Sequence, residues 1–345
     1  MLFNTKYFPK NFDQFIGNDK AVQMVKNFLK NYNIPNIIIV GDHGIGKNTL
    51  CSLLLREYFG EDYEYFSFNI YGSINRGKDI ITEYSEKKKK VDSSESTNIS
   101  SFINKTLRLP ENKCRIIVIY DFDCMTESAQ LVLKAIIEEK SHRVRFIFIC
   151  NDISNISDAL QSRATPIQMF KLNKQDVIKR LKEIVEIENS TNVYKKYVSE
   201  EIYDIIYLLT EGDLKCAINY LQIYMNSDDV KIENKIENKI ENKILIDNFY
   251  NIFNITPLYI IKDMIMSKNI LKSCKDLKML LDNGFNSQDI LDMILKLLKS
   301  NENIVNENIK IIHLNTLIDV SKKYIHSPSH IHLFNMVCKF VEHNV

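Results

Sequence analysis

The chain has 345 residues, of which 45% are hydrophobic and 26% charged, a globular composition that excludes an intrinsically disordered protein. Its 45 basic and 44 acidic residues leave a net charge of +1, which excludes nucleic-acid binding through bulk positive charge but allows a local basic patch. Without a run of about 18 apolar residues or an apolar N-terminal segment, the sequence predicts a soluble intracellular protein with no membrane contact. The seven cysteines form no C-x-x-C pair and show no zinc-type spacing, so we expect reduced core thiols. The length predicts two or three domains.

The first 165 residues alternate between short apolar runs and helical patterns. The apolar runs are Asn36–Val40, Arg115–Tyr120 and Val144–Cys150, and the helical patterns are Lys20–Tyr32, Asn48–Tyr58 and Glu127–Glu139. Continuous apolar strands that alternate with helices predict a parallel sheet covered by helices on both faces. The segment Glu86–Ser101 contains four consecutive lysines and is predicted to be a mobile loop. We favour a solvated role for these lysines, with a DNA contact as the alternative.

From Asn173 onward the sequence contains helical patterns only. A small helical bundle is predicted first, with helices near Glu200–Thr210 and Leu214–Tyr224. The repeat KIENKIENKIENK then spans Lys231–Lys243, where like charges at i and i+4 disfavour a helix. We predict a low-complexity insertion there, with a helical extension as the minority alternative. A final all-helical region is expected over Asn248–Val345.

A glycine-rich segment joins the strand pattern Ile37–Val40 to the helical pattern that follows it. Backbone amides of a glycine-rich turn at a helix N-terminus form an anion cradle, and a lysine at its end can reach the β- and γ-phosphates of a nucleotide. The pattern G-x4-G-K-[ST] matches through Lys47 and fails at Asn48, whose amide is a poorer magnesium ligand than a hydroxyl. The predicted nucleotide-binding residues are Gly41, Asp42, His43, Gly44, Ile45, Gly46, Lys47, Asn48 and Thr49.

The segment Ile116–Glu139, taken together with this phosphate loop, resembles the AAA+ clamp-loader ATPases, specifically the small subunits of replication factor C. In that family the strand ends in Asp-Glu-Ala-Asp, and a Ser-Met-Thr segment follows. In this register Asp123 takes the place of the last Asp, and it is a weak candidate for a metal ligand. Asp121 takes the place of the catalytic Glu, and Tyr120 that of the magnesium-organising Asp. Since Asp121 is one methylene shorter than Glu, we expect a degenerate catalytic base.

Further segments carry the resemblance towards both ends of the chain. Lys6–Val22 resembles the family's opening segment, which approaches the adenine. Asn69–Ile80 resembles its Arg-Gly-Ile-Asp segment, which implies a DNA-facing role for Arg76 and Lys78. The match is weaker in the C-terminal region, where Gly284–Leu291 resembles the collar helices through which subunits form a ring.

Three more positions match residues that the family uses around the nucleotide. Asn151 ends a strand and corresponds to the sensor-1 Asn, which monitors the γ-phosphate. Arg163 lies in ALQSRATP, which resembles the Ser-Arg-Cys box, and would act as an arginine finger on a neighbouring subunit's nucleotide. Lys215 takes the place of the sensor-2 Arg in the lid.

The resemblance implies an α/β P-loop AAA+ domain over 1–168, an all-α lid over 169–230, an insertion at 231–245 and an all-α collar domain over 246–345. It also implies ATP as cofactor, weak or indirect use of Mg²⁺, and a hetero-oligomeric ring that loads a sliding clamp onto primer–template DNA without reading base sequence. The protein would then act wherever DNA is replicated, in the nucleus, or in the cytoplasm or a replication factory if viral.

Two hypotheses about the chain's own chemistry remain open, namely an active ATPase and a subunit that binds nucleotide but hydrolyses it poorly. The second hypothesis is favoured because Asn48, Tyr120 and Asp121 differ from the family pattern at positions that bind magnesium or activate the attacking water. The residues of the phosphate cradle match the pattern. A stand-alone AAA+ protein remodeller is a more distant alternative.

Overall fold

The computed structural model divides the chain into two compact units, Met1–Thr191 with Thr210–Gln222, and Asn192–Leu209 with Ile223–Val345. It describes residues 2–30, 34–61, 63–74, 76–77, 102–103, 113–140, 143–191, 198–226, 256–299 and 306–344. Lys78, the lysine-rich loop and the KIEN repeat lie outside these residues. The predicted domain boundaries near 168, 230 and 245 stay predictions.

The first unit is built on a parallel five-stranded sheet with the strand order β2-β3-β4-β1-β5. The strands are β1 (Ile37–Val40), β2 (Ser67–Tyr71), β3 (Arg115–Tyr120), β4 (Val144–Cys150) and β5 (Thr165–Gln168). The predicted parallel sheet is therefore confirmed. The sequence patterns did not predict β2 and β5, which lie at the two edges. Pro166 can occupy β5 because a strand with only one neighbour can tolerate a residue without an amide hydrogen.

Helices cover both faces of this sheet, as predicted. Helices α2 (Asp19–Lys30), α3 (Lys47–Phe59) and α4 (Tyr63–Phe66) pack on one face, and α5 (Glu127–Lys140) and α6 (Asp158–Gln161) pack on the other. The first unit also contains α1 (Phe3–Lys6) and α7 (Lys174–Thr191). Successive residues of a strand face opposite sides of the sheet. Ile37 and Ile39 accordingly pack in one core with α2 and α3, whereas Ile38 and Val40 pack in a second core with α5.

Every element that the structure describes after β5 is a helix, which confirms the predicted all-helical character of this part of the chain. These helices are α7, α8 (Glu200–Thr210), α9 (Leu214–Asn226), α10 (Thr256–Met266), α11 (Ile270–Asp282), α12 (Ser287–Lys299), α13 (Glu307–His326) and α14 (His330–Asn344). In the second unit, buried side chains such as Ile261, Leu277, Ile294 and Phe340 form the core. None of the described helices is long and apolar enough to span a bilayer.

Candidate nucleotide-binding site

The predicted phosphate loop lies between β1 and α3 and has a backbone that requires glycine. Gly41, Gly44 and Gly46 have φ angles of 155°, 68° and 99°, a region that residues with a Cβ rarely adopt. Gly46 is also the residue before the first turn of α3, and it offers no side-chain acceptor to the helix amides. The first amides of a helix lack partners within the helix and attract anions. The loop therefore has the geometry of a phosphate cradle.

Lys47 is the first residue of α3 and is only 8% exposed. Its ammonium group donates hydrogen bonds to the carbonyls of Gly41 and Asp42, at 2.5 and 2.6 Å, and to Oδ1 of Asn151, at 2.8 Å. Burial lowers the pKa of Lys47. An ammonium group has three hydrogens, so Lys47 must exchange at least one of these partners to reach a phosphate. The contact brings together two predicted nucleotide-binding residues that are 104 positions apart.

A cavity of about 380 Å³ opens beside this cradle within the first unit. Its polar wall consists of phosphate-loop residues from His43 to Thr49, together with Asp121, Asn151 and Lys215. The structure thus brings most of the predicted nucleotide-binding residues to one cavity. Asp42 points elsewhere, since its carboxylate forms an ion pair of 3.6 Å with Lys171.

The other wall of the cavity is largely apolar and consists of residues that were not individually predicted to bind a cofactor. It contains Tyr7, Phe8, Phe15, Ile16 and Ile218. The first four lie in the segment whose resemblance implied a place near the adenine. Asn4 and Arg180 also line the cavity, although no local pattern marks them. A polar cradle for anions beside an apolar wall for a planar base fits a nucleoside phosphate.

The two carboxylates after β3 have different surroundings. Asp121 lines the cavity with a φ of 50°, and its carboxylate accepts a hydrogen bond of 2.9 Å from the hydroxyl of Ser73. One oxygen of Asp123 accepts from the backbone amides of Asn151, at 3.0 Å, and Asp152, at 3.4 Å. Its other oxygen is buried and has no hydrogen-bond partner among the described residues. Asp123 therefore fixes the turn that carries Asn151.

Tyr120 replaces a carboxylate at the end of β3 with an aromatic ring. The ring stacks on that of Tyr71, with centroids 5.0 Å apart and planes 16° apart. Burial raises the pKa of its hydroxyl, which therefore stays protonated at neutral pH. The described residues contain no cluster of three His, Cys, Asp or Glu side chains that could hold a metal. Mg²⁺ in nucleotide sites usually takes one or two carboxylates together with phosphate oxygens, and Asp121 is the carboxylate that lines this cavity.

Arg163 is not among the residues that line the cavity. Its guanidinium donates to the carbonyl of Ala159 at 2.7 Å and to the hydroxyl of Ser162 at 3.2 Å, and it forms an ion pair of 2.6 Å with Glu138 on α5. Its side chain remains 37% exposed. These contacts direct Arg163 away from its own phosphate loop and leave it accessible on the surface.

Arg76 is exposed and lies in the loop after β2. Its Nε donates to the carbonyl of Ser73 at 3.3 Å, and its own carbonyl accepts from both the amide and the hydroxyl of Thr126 at 3.1 Å. The backbone at Arg76 is thus tied to the start of α5. The DNA-facing role predicted for Arg76 and Lys78 stays a prediction.

The sequence is similar to a known protein family and to several known proteins. Residues 37–172 match the family described as ATPase family associated with various cellular activities (AAA). Replication factor C subunit 4 of Saccharomyces cerevisiae is 29% identical over 296 residues, covering 86% of this chain and 81% of that protein. A replication factor C small subunit of Aeropyrum pernix is 33% identical over 222 residues, or 64% of this chain and 62% of that protein.

A solved structure also matches the fold. The RuvB Holliday junction branch migration motor of Thermotoga maritima aligns with a TM-score of 0.52 over 75% of this chain and 79% of that one. At 14% identity this likeness concerns the fold alone. The phosphate loop, the parallel sheet and the family match agree with one another. Residues 37–172 form a domain of the AAA ATPase family, and the chain resembles the small subunits of replication factor C over most of its length.

Proposed function

We propose that this protein is a subunit of a replication factor C-like clamp loader, which uses ATP binding and hydrolysis to load a sliding clamp onto primer–template DNA during replication. The observation that carries the proposal is the cavity in which Lys47, Asn151 and Lys215 meet beside an apolar wall. The similarity to replication factor C subunits over most of the chain supports the same function. In this function the protein assembles with other loader subunits in a hetero-oligomeric ring.

This subunit binds ATP but hydrolyses it poorly. In nucleotide hydrolysis, Mg²⁺ neutralises charge on the phosphates and a positioned group orients the attacking water. Tyr120 is a protonated phenol stacked on Tyr71, and Asn48 lacks the hydroxyl of the usual pattern. The carboxylate of Asp121 is shorter than that of Glu and is already hydrogen-bonded to Ser73. These features weaken magnesium binding and the positioning of the attacking water, and they leave the phosphate cradle intact.

Arg163 contributes to a neighbouring subunit's nucleotide as an arginine finger. Its exposed guanidinium, outside its own cavity, supports a role in trans. DNA contacts are made through phosphates, by Arg76 and Lys78, and carry no sequence specificity. An active ATPase subunit is the alternative that the retained Asp121 carboxylate favours.

The test is nucleotide binding and turnover by the purified chain, alone and with candidate partner subunits. We expect equilibrium binding of a fluorescent ATP analogue, its loss in Lys47→Ala, and little turnover by the chain alone. Lys174→Ala, an exposed lysine at the start of α7, is the matched control and should bind normally. Equal affinity in the wild type and Lys47→Ala would overturn the site assignment. Rapid turnover alone would favour the active ATPase, and a homo-oligomeric ring by light scattering would favour a stand-alone remodeller.

A further inference from the structure

The short N-terminal helix α1 is attached to α9 through side chains that lie more than 200 positions away in sequence. The backbone amide of Phe3 donates to Oε1 of Gln222 at 2.9 Å. The side-chain amide of Asn4 donates to Oδ1 of Asn219 at 2.5 Å and to the backbone carbonyl of Lys215 at 3.3 Å. All of these residues belong to the first unit. Asn4 therefore donates hydrogen bonds to both the first and the second turn of α9.

The same helix is also attached to α7. Lys6 forms an ion pair of 2.8 Å with Glu188, whose side chain is only 6% exposed. One residue beyond α1, the carbonyl of Tyr7 accepts a hydrogen bond of 2.9 Å from Arg180 on α7. A four-residue helix is not stable by itself, so these tertiary contacts hold α1 in place. The N-terminal segment thus links α7 and α9, the two helices that supply Arg180, Lys215 and Ile218 to the cavity.

Lys215 is the cation that α9 supplies to this cavity, and its side chain is exposed. Among the described residues its ammonium group has no hydrogen-bond or ion-pair partner to fix its direction. The position of this charge is therefore set by the backbone of the first turn of α9. That backbone is held by Asn4 through the carbonyl of Lys215 itself.

We propose that Asn4 is a positioning residue for Lys215. By holding the first turn of α9, it keeps the ammonium group directed into the cavity, where it meets the polyphosphate of a bound nucleoside triphosphate. The inference rests on the proposed function, because it requires that the cavity bind nucleotide. Asn4 acts through Lys215 and makes no contact of its own with the phosphates.

The experiment is a double-mutant cycle on the full-length chain, with affinity for a fluorescent ATP analogue measured at equilibrium. Loss of neutral hydrogen bonds should make Asn4→Ala bind about three- to tenfold more weakly than the wild type. Lys215→Met should also bind more weakly. In the Lys215→Met background, adding Asn4→Ala should change the affinity less than about twofold, because the charge that Asn4 positions is gone. Asn27→Ala, an exposed asparagine on α2, is the matched control and should bind like the wild type.

Asn219→Ala gives a second route to the same test, since it removes the acceptor at 2.5 Å and keeps Asn4. Asn219→Ala should also weaken binding of the analogue in the wild-type background and change it little in the Lys215→Met background. If Asn4→Ala does not fold, this variant alone tests the proposal. Equal losses of affinity on adding Asn4→Ala to the wild type and to Lys215→Met would show that Asn4 does not act through Lys215, and would overturn the proposal. Unchanged affinity in both Asn4→Ala and Asn219→Ala would overturn it as well. Failure of the wild type to bind the analogue is a separate result that would refute the proposed function and this inference with it.

Discussion

The approach of α9 to the phosphate loop at Gly44 can be tested by adding a single methyl group. Gly44 has a φ of 68°, and a Cβ at this position would overlap the carboxylate of Asp213. Asp213 cannot easily move, because its Oδ1 accepts a hydrogen bond of 2.9 Å from the amide of Cys216 at the start of α9. In Gly44→Ala, the left-handed backbone costs about 1–2 kcal/mol. The overlap adds about 1–3 kcal/mol, as overpacking in other cores does.

We therefore expect Gly44→Ala to lower the free energy of unfolding of the first unit by about 2–5 kcal/mol, measured by urea denaturation. Asp213→Ala alone removes a helix cap and should cost about 1 kcal/mol. In the Asp213→Ala background the overlap is absent, so Gly44→Ala should cost only the backbone strain. The coupling energy between the two sites is then about 1–3 kcal/mol. Strictly additive losses would show that the carboxylate of Asp213 does not pack against Gly44, and would refute the reasoning.

Three further predictions concern the metal, the arginine finger and the second unit. Replacing Mg²⁺ by EDTA should change the affinity of the chain for ATP less than about threefold, because Tyr120 is not a metal ligand; a loss of a hundredfold would contradict this. Arg163→Ala should keep the chain's own ATP binding and assembly but lower turnover of the reconstituted complex, since such fingers accelerate hydrolysis at one interface by about 10³–10⁵. Part of the activity should survive at other interfaces, and unchanged turnover would refute the finger. Burial lowers the pKa of His313, whose ring packs against that of Phe340 with centroids 4.4 Å apart. The unfolded chain then binds the proton more tightly, so the free energy of unfolding of the second unit should fall as pH drops below about 6.5, and His313→Gln should reduce this slope.

The sequence predicted those parts of the fold whose signal is local. A nearly continuous apolar run identifies β3 and β4, because a strand buried on both faces carries apolar side chains on both. The phosphate loop could also be predicted from the sequence, since its glycines, Lys47 and the following helix are adjacent in the chain. The edge strand β5 was missed because it has four residues, includes Pro166 and buries only one of them.

The rest of the cavity wall could not be predicted because its contacts connect distant segments. Asn4 and Arg180 have no spacing relative to the phosphate loop that would mark them, and only the folded first unit brings them to the same cavity. The resemblance supplied Asn151 and Lys215 as nucleotide-binding residues, and the structure places both at that cavity. The resemblance did not indicate that Lys47 donates a hydrogen bond of 2.8 Å to Asn151. The roles of these residues in turnover stay predictions.

The change at Tyr120 affects packing as well as metal binding. A carboxylate at the end of β3 would have to remain charged to hold Mg²⁺, whereas the tyrosine here is half-buried and stacked on Tyr71 with its hydroxyl protonated. Burying a charge without a partner is costly, so the stacked pair and a magnesium-organising carboxylate are alternative solutions for the same position. By contrast, Lys47 retains its place in the cradle and Arg163 its exposure. The altered magnesium position beside a retained lysine and an exposed arginine supports the proposal that the chain binds nucleotide and contributes to a neighbouring subunit's hydrolysis rather than hydrolysing ATP itself.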